Sequence, residues 1–224
     1  MKKFRLLFYR PDYDHRWLDN AIGWYSFLVN SISHPTEIGL LKKLLSSHVE
    51  IWTPDKEGDF VWRSVLDPKE IVYHGICWTS TMGQTGTVQE NGCVRRLASE
   101  VLTTPRRWYY DEFEVCDEAY DYMVKWMEHQ VADNICYDKW EIVKFFLPYR
   151  KQDPDDHKKI CSGFSWVALY HCAIRHLLTK YELVLWNLTL EHNLKDLFSP
   201  LLMSYHLYKA GAKPIDLETG MEIK

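Results

Sequence analysis

The chain has 224 residues, of which 46% are hydrophobic, enough for one well-cored domain with an extension and too many for a disordered protein. Its 27 basic and 31 acidic residues give a formal net charge of −4, so no basic excess indicates binding to nucleic acid. No stretch approaches the roughly 20 apolar residues of a membrane helix, and the apolar segment after Lys2 and Lys3 ends at Arg10, too early for a signal peptide. We therefore expect neither a transmembrane segment nor a signal peptide.

The first half of the chain is predicted to form mainly strands. Residues 4–10 predict a strand, 15–30 an aromatic-rich amphipathic helix or loop, and Pro35 begins a helix that leads into a strand at His48. Four segments rich in β-forming residues follow, separated by turn residues: 59–66, 71–81, 86–96 and 108–115. This pattern is typical of an antiparallel meander, and we expect a sheet of five or six strands.

The second half of the chain is predicted to form mainly helices. Apolar residues recur at helical spacing in five segments, 117–132, 138–147, 161–178, 183–197 and 200–209. A tail with Gly and Pro, residues 211–224, is expected to be partly disordered. The predicted fold class is therefore α+β, an antiparallel sheet packed against helices.

Two distant segments carry the residue types of a thiol nucleophile and its base. Ser47-His48-Val49-Glu50-Ile51-Trp52 alternates like a half-buried strand, with His48 and Glu50 on one face. Ile160-Cys161-Ser162-Gly163-Phe164 opens an amphipathic helix with a cysteine in its first turn, where the helix dipole and the free N–H groups favour a thiolate. An imidazole beside it would keep the thiol deprotonated and later protonate the leaving group. A buried structural Cys161 and a strand histidine at position 48 remain the alternatives.

Glu50 is a candidate for orienting that imidazole. Its side chain leaves the same face of the strand as His48, roughly 7 Å further along. A carboxylate at this place would act as the third member of a triad, although a solvent-facing glutamate fits the pattern nearly as well.

The order of the elements between these two segments resembles the order found in a known family. After the Ser-His-Val-Glu strand come a strand ending Cys77-Trp78-Thr79-Ser80, a Gly92-Cys93 turn, the Tyr137-Asp138 pair, and finally Cys161-Ser162 at the start of a helix. Over about residues 44 to 175 this layout resembles the circularly permuted, YiiX-type branch of the NlpC-like papain-like cysteine hydrolases of bacteria and bacteriophages. The chain departs from it at Gly163, where the family commonly has Glu, and in lacking an initial Gly-Asp strand.

The resemblance implies a permuted papain-like domain at residues 1–178 and a helical extension with a tail at 179–224. It implies a cysteine hydrolase of the peptidase or amidase kind that cleaves an amide through an acyl-enzyme, with Cys161 as nucleophile and His48 as base. In such folds the orienting residue usually comes from the neighbouring strand, which makes Ser80 the competitor of Glu50. It also suggests that the Tyr137 hydroxyl donates to the developing oxyanion.

The resemblance leaves the substrate open. Peptidoglycan peptides are the commonest targets of NlpC-like proteins, whereas the permuted branch is also similar to lipid acyltransferases. A binding or virion-associated module without turnover is a third possibility. A cytoplasmic or phage-associated location follows, with a peptide, cell-wall or lipid-derived partner. Aromatic residues, namely Trp52, Trp78, Tyr137 and Trp166, are expected to line the substrate pocket, although most aromatics in a chain of this kind belong to the core.

No cofactor or metal is expected from the cysteine spacing. The six cysteines are far apart, without a Cys-x-x-Cys pair or a tight His-Cys cluster. A protein with a structural zinc site, which would not be an enzyme of this kind, remains an alternative.

Overall fold

The structure is a computed structural model, and it describes residues 1–11, 17–54, 60–63, 71–85, 88–139, 142, 158–180, 182–196 and 198–224. The strands are β1 (Lys2–Tyr9), β2 (His48–Thr53), β3 (Val61–Arg63), β4 (Ile71–Tyr73), β5 (Ile76–Thr85), β6 (Val88–Leu97), β7 (Trp108–Val115), β8 (Cys136–Tyr137), β9 (Lys158–Lys159) and β10 (Ile215–Asp216). The α-helices are α1 (Trp17–Ser33), α2 (Ile38–Lys43), α3 (Ala98–Val101), α4 (Asp117–Ala132), α5 (Cys161–Leu177), α6 (Leu183–Glu191) and α7 (Pro200–Ala210). Short 3₁₀ helices cover Pro35–Glu37 and Pro105–Arg107.

Six antiparallel strands form the main sheet, in the order β10-β7-β1-β2-β5-β6. Strand β2 is central, with β1 on one side and β5 on the other. Two further pairs are small, an antiparallel β3-β4 pair and a parallel β8-β9 pair. The α+β class and the antiparallel sheet predicted from the sequence are confirmed, and the sheet has six of the predicted five or six strands.

Alternation along the strands divides the buried side chains between the two faces of this sheet. In β1, Phe4, Leu6 and Phe8 belong to the larger hydrophobic cluster, which includes residues of α4, α5, α6 and α7. Leu7 points the other way and joins Trp52, Cys77, Trp108 and Tyr110 in a second cluster. A sheet with apolar residues on both faces must be covered on both sides, and here the helical layer covers the first face.

Helix α5 packs across β2 and β5 on the face of the larger cluster, with α4 beside it. Its first half is buried all round, from Cys161 to Leu169, so this helix lies inside the molecule rather than on it. Its C-terminal half has one buried side, with Cys172, Ala173 and His176. The helical spacing of apolar residues over 161–178 predicts that Ile174 and Leu178 continue the buried stripe, but both are exposed. The chain thus delivers the N-terminus of α5 to the middle of the sheet.

The C-terminal tail differs from the expectation of disorder. Ile215 and Asp216 add β10 to the edge of the sheet, with Ile215 opposite Tyr110. Leu217 is buried in the second cluster. Pairing with an open strand edge satisfies backbone groups that would otherwise face solvent, which orders the segment.

The predicted strand at 71–81 is divided into β4 and β5. Gly75 separates them with φ +97°, and a Cβ atom there would lie 2.1 Å from the carbonyl oxygen of Thr53. Only glycine fits this close approach. The predicted helix at 138–147 falls mostly outside the described residues.

Candidate active site

Cys161 is the first residue of α5. Ile160 precedes it in an extended conformation and has no polar side chain with which to cap the helix. The N–H groups of the first turn therefore lack a side-chain acceptor, and their positive partial charge lies next to the Cys161 sulfur. The residue is 5% exposed. Cys161 is therefore a buried residue at the positive end of a helix dipole.

His48 begins β2, opposite Tyr9 of β1. Its ring lies within hydrogen-bonding reach of the Cys161 side chain, so the central strand and the N-terminus of α5 bring the two predicted residues together. The imidazole keeps 19% of its surface exposed. One edge of the pair thus remains open to solvent.

The charges around His48 hold it in the protonated form. Burial alone lowers the pKa of His48, but the Cys161 thiolate and the Glu50 carboxylate outweigh that effect and raise the pKa to about 10. The imidazole of His48 is therefore a cation at neutral pH.

Glu50 holds the other side of the imidazole. Its Oε1 lies 3.1 Å from Nε2 of His48, which leaves Nδ1 as the ring nitrogen available to the sulfur. The side chain of Glu50 is 1% exposed and forms an ion pair with Arg96 of β6. Burial alone raises the pKa of Glu50, but Arg96 and His48 lower it below its ordinary value. The carboxylate is therefore charged and fixed between two cations.

The Ser80 hydroxyl is bonded to the backbone and not to the imidazole. It donates to the carbonyl oxygen of Lys159, 2.6 Å away. Alternation along β5 instead presents Thr79, whose Oγ1 lies 3.5 Å from Nε2 of His48 and donates to the carbonyl of Val49 at 3.0 Å. Of the two candidates for orienting the ring, the structure brings Glu50 to it and turns Ser80 to the other face of the strand.

Tyr137 lies close in the fold to the start of α5. In the parallel β8-β9 pair it is opposite Lys159, and its side chain packs against Ile160, the residue before Cys161. The following residue, Asp138, is buried and donates its backbone N–H to the carbonyl of Lys159 at 3.2 Å. The Tyr-Asp pair thus accompanies the segment that enters the helix.

The three tryptophans expected to line a pocket are core residues. Trp52 is fully buried in the second cluster and donates from Nε1 to the carbonyl of His74. Trp78 donates to Oγ1 of Thr53, and Trp166 to the carbonyl of Asn193. Each ring is at least 97% buried, because large apolar faces are more favourable inside the sheet and helix layers than along an open site.

The contact of Arg96 with Glu50 was not predicted from the sequence. Arg96 lies opposite Cys77 of β5, two strands away from β2, and reaches Glu50 across the sheet. The only signal in the sequence is the alternation of β6, in which Arg95 and Arg96 leave opposite faces. The pairing of β2 with β5 and of β5 with β6 decides which of the two arginines meets Glu50.

An open cleft lies at the other end of β2. Its volume is about 940 Å³, and its lining includes Met1, Lys3, Pro54, His74 and Tyr120. Because β2 runs from His48 to Thr53, this cleft is separated from the Cys161 pair by the length of the strand. It contains none of the predicted site residues.

Among the helices that the structure describes, none combines the length and apolar character that a bilayer crossing needs. No family model matches this chain, and neither a curated protein nor a solved structure is detectably similar to it.

Proposed function

We propose that the protein is a cysteine-dependent hydrolase that cleaves an amide through an acyl-enzyme. The observation that carries this proposal is the position of the His48 imidazole between the Cys161 thiol and the Glu50 carboxylate. Cys161 is the nucleophile and His48 the proton carrier. Glu50 is a positioning residue, held in turn by Arg96.

Acylation begins from the thiolate–imidazolium pair. The sulfur attacks the carbonyl carbon of the substrate, and the carbonyl oxygen takes up the negative charge. The C–N bond then breaks, and the proton of His48 moves to the leaving nitrogen, which gives a thioester and a free amine. Glu50 keeps the ring oriented while its charge changes, as the carboxylate does in other triads.

Deacylation runs through the same two side chains. The neutral His48 takes a proton from water as its oxygen attacks the thioester, and the C–S bond breaks. A carboxylic acid leaves, and the thiolate–imidazolium pair is restored. No group beyond water and the substrate is consumed in these steps.

Backbone N–H groups at the start of α5 are suited to stabilise the oxyanion. The N–H of Cys161 has no side-chain cap to compete for it. A negative oxygen that develops beside the sulfur would therefore meet an N–H group and the positive end of the helix dipole.

For the substrate we propose a peptide amide, with cell-wall peptides as the first class to examine because of the family resemblance. The test is incubation of purified muropeptides and, separately, acyl esters with the wild type, Cys161→Ser and Cys136→Ser, followed by mass spectrometry. Cys136 is an exposed cysteine outside the pair and serves as the matched control.

The expected result is amide cleavage by the wild type and by Cys136→Ser, none by Cys161→Ser, and an acyl adduct on Cys161 after acid quenching. Acylation of Cys161 by esters alone would reassign the protein to acyl transfer. No adduct and no cleavage with any of these substrates would favour a binding module of the same fold.

A further inference from the structure

Three side chains of types that can bind a metal ion lie close together where α6 ends against α7, away from the Cys161–His48 pair. Glu191 is the last residue of α6, His192 follows it, and His206 comes from the middle of α7. One ligand atom from each of the three lies within 4.8 Å of the other two.

One ring nitrogen of His192 faces a carboxylate, and the other has no hydrogen-bond partner among the described residues. Its Nδ1 lies 3.6 Å from Oδ2 of Asp196. Its Nε2 is buried, has no hydrogen-bond partner among the described residues, and lies 4.0 Å from Oε2 of Glu191. A carboxylate on the far nitrogen fixes the tautomer and orientation of an imidazole whose near nitrogen binds a metal. A buried nitrogen left without a partner otherwise costs free energy.

The aromatic surroundings of the cluster do not satisfy that nitrogen. The rings of His192 and His206 have centroids 4.1 Å apart at an interplanar angle of 67°, and Phe198 packs edge-on against His192 at 5.0 Å. Ring packing explains the burial of the two imidazoles. It supplies neither a donor nor an acceptor to Nε2 of His192.

We propose that Glu191, His192 and His206 bind a divalent ion of the zinc class, with Asp196 orienting His192. Two imidazole nitrogens and one carboxylate oxygen suit zinc and its neighbours in the first transition row, and disfavour magnesium and calcium, which take oxygen ligands. The ion joins the end of α6 to α7.

Only small side-chain movements are needed to close this site. Tetrahedral zinc with ligand bonds near 2.0 Å holds its donors about 3.3 Å apart. The side chain of Glu191 is 67% exposed and can rotate toward the two imidazoles without disturbing the core.

The test is zinc titration of metal-free protein by calorimetry, with thermal unfolding as a second readout. It is done in the Cys161→Ala background, because the thiol and imidazole of the proposed active site are themselves possible zinc ligands. We expect one zinc per chain and a raised melting temperature, and neither effect with magnesium.

His192→Gln, His206→Gln and Glu191→Gln should each abolish or greatly weaken this binding, and Asp196→Asn should weaken it about 10- to 100-fold. His129→Gln, at an exposed histidine of α4, should leave it unchanged. Because Glu191 is exposed, its variant remains informative if the histidine variants do not fold. Absence of zinc binding in the Cys161→Ala protein, or binding that survives Glu191→Gln and His206→Gln, would overturn the proposal.

Discussion

Nε2 of His48 lies 3.1 Å from Oε1 of Glu50, so the imidazole has one nitrogen fixed on a buried carboxylate while the ring reaches Cys161. A ring fixed in this way cannot turn without breaking a charge-assisted hydrogen bond. The relationship makes the reactivity of Cys161 depend on residues of β2 and β6, which are remote from it in sequence.

The first prediction concerns the order in which the cysteines react. Brief, substoichiometric iodoacetamide at pH 6.5 should label Cys161 first, because the thiolate is the reacting form and His48 stabilises it. Burial raises the pKa of Cys93 and of Cys172 to about 12 each, so neither should compete. Mass-spectrometric mapping reads the order. Earlier labelling of the exposed Cys136 would contradict the assignment of the nucleophile.

His48→Ala should slow the labelling of Cys161 at pH 6.5 by roughly 10- to 100-fold, since an unassisted thiol is only about 1% ionised at that pH. The difference should shrink as the pH rises toward 9, where a free cysteine ionises by itself. Labelling of Cys136 in the same digest is the internal control. Equal rates in the two proteins across this range would mean that another group activates the sulfur.

Glu50→Gln and Ser80→Ala should differ in their effects on the same reaction. Loss of the carboxylate weakens the charge-assisted hydrogen bond that orients the imidazole, and we expect the labelling of Cys161 at pH 7 to fall about tenfold, the equivalent of about 1.4 kcal/mol. Ser80→Ala should leave the rate nearly unchanged, because its hydroxyl is bonded to Lys159, and should cost about 1 kcal/mol of stability. The pH profile of labelling measures both. A larger rate effect from Ser80→Ala would exchange their roles.

Arg96→Met should destabilise the protein by about 3 to 5 kcal/mol, because it leaves the buried charge of Glu50 without its principal cation. Urea unfolding at pH 7 measures the loss. Arg106→Met, at an exposed arginine, is the matched control and should change stability by less than about 0.5 kcal/mol. Similar losses in the two variants would show that the Glu50–Arg96 pair adds nothing to the folded state.

We expect Asp111, which lies outside the proposed active site, to make the stability of the protein depend on pH. Both of its carboxyl oxygens are buried without a partner among the described residues, and burial raises the pKa of Asp111 from 3.8 to about 7. The folded protein therefore keeps this proton up to about pH 7, whereas the unfolded chain releases it near pH 4. The stabilising contribution is complete below pH 4 and is lost as the pH rises to 7, by up to about 4 kcal/mol.

The comparison that isolates this effect is Asp111→Asn, which resembles the neutral acid in shape. The variant should match the wild type at about pH 3.5 and exceed it in stability at pH 8, in urea unfolding at both values. Parallel stability curves for the two proteins between pH 5 and 8 would show that Asp111 is ionised in the folded state.

The sequence by itself determined the local part of this protein. Periodicity predicted the helix at 117–132, which α4 matches, and a helix opening at Cys161, which α5 matches. It also predicted that His48 and Glu50 share one face of a strand, because alternation is a property of the strand alone. The class of the fold followed from the same patterns.

Only the tertiary structure decided which of these elements meet. The pairing of β2 with β5 and of β5 with β6 selects Arg96 as the partner of Glu50, and the crossing of α5 over β2 brings Cys161 to His48. Ordering of β10 on the edge of β7 and burial of Trp52 likewise depend on long-range contacts. Local periodicity fixes which face a side chain leaves, but strand order and helix packing, which minimise exposed apolar surface over the whole chain, fix what lies opposite that face.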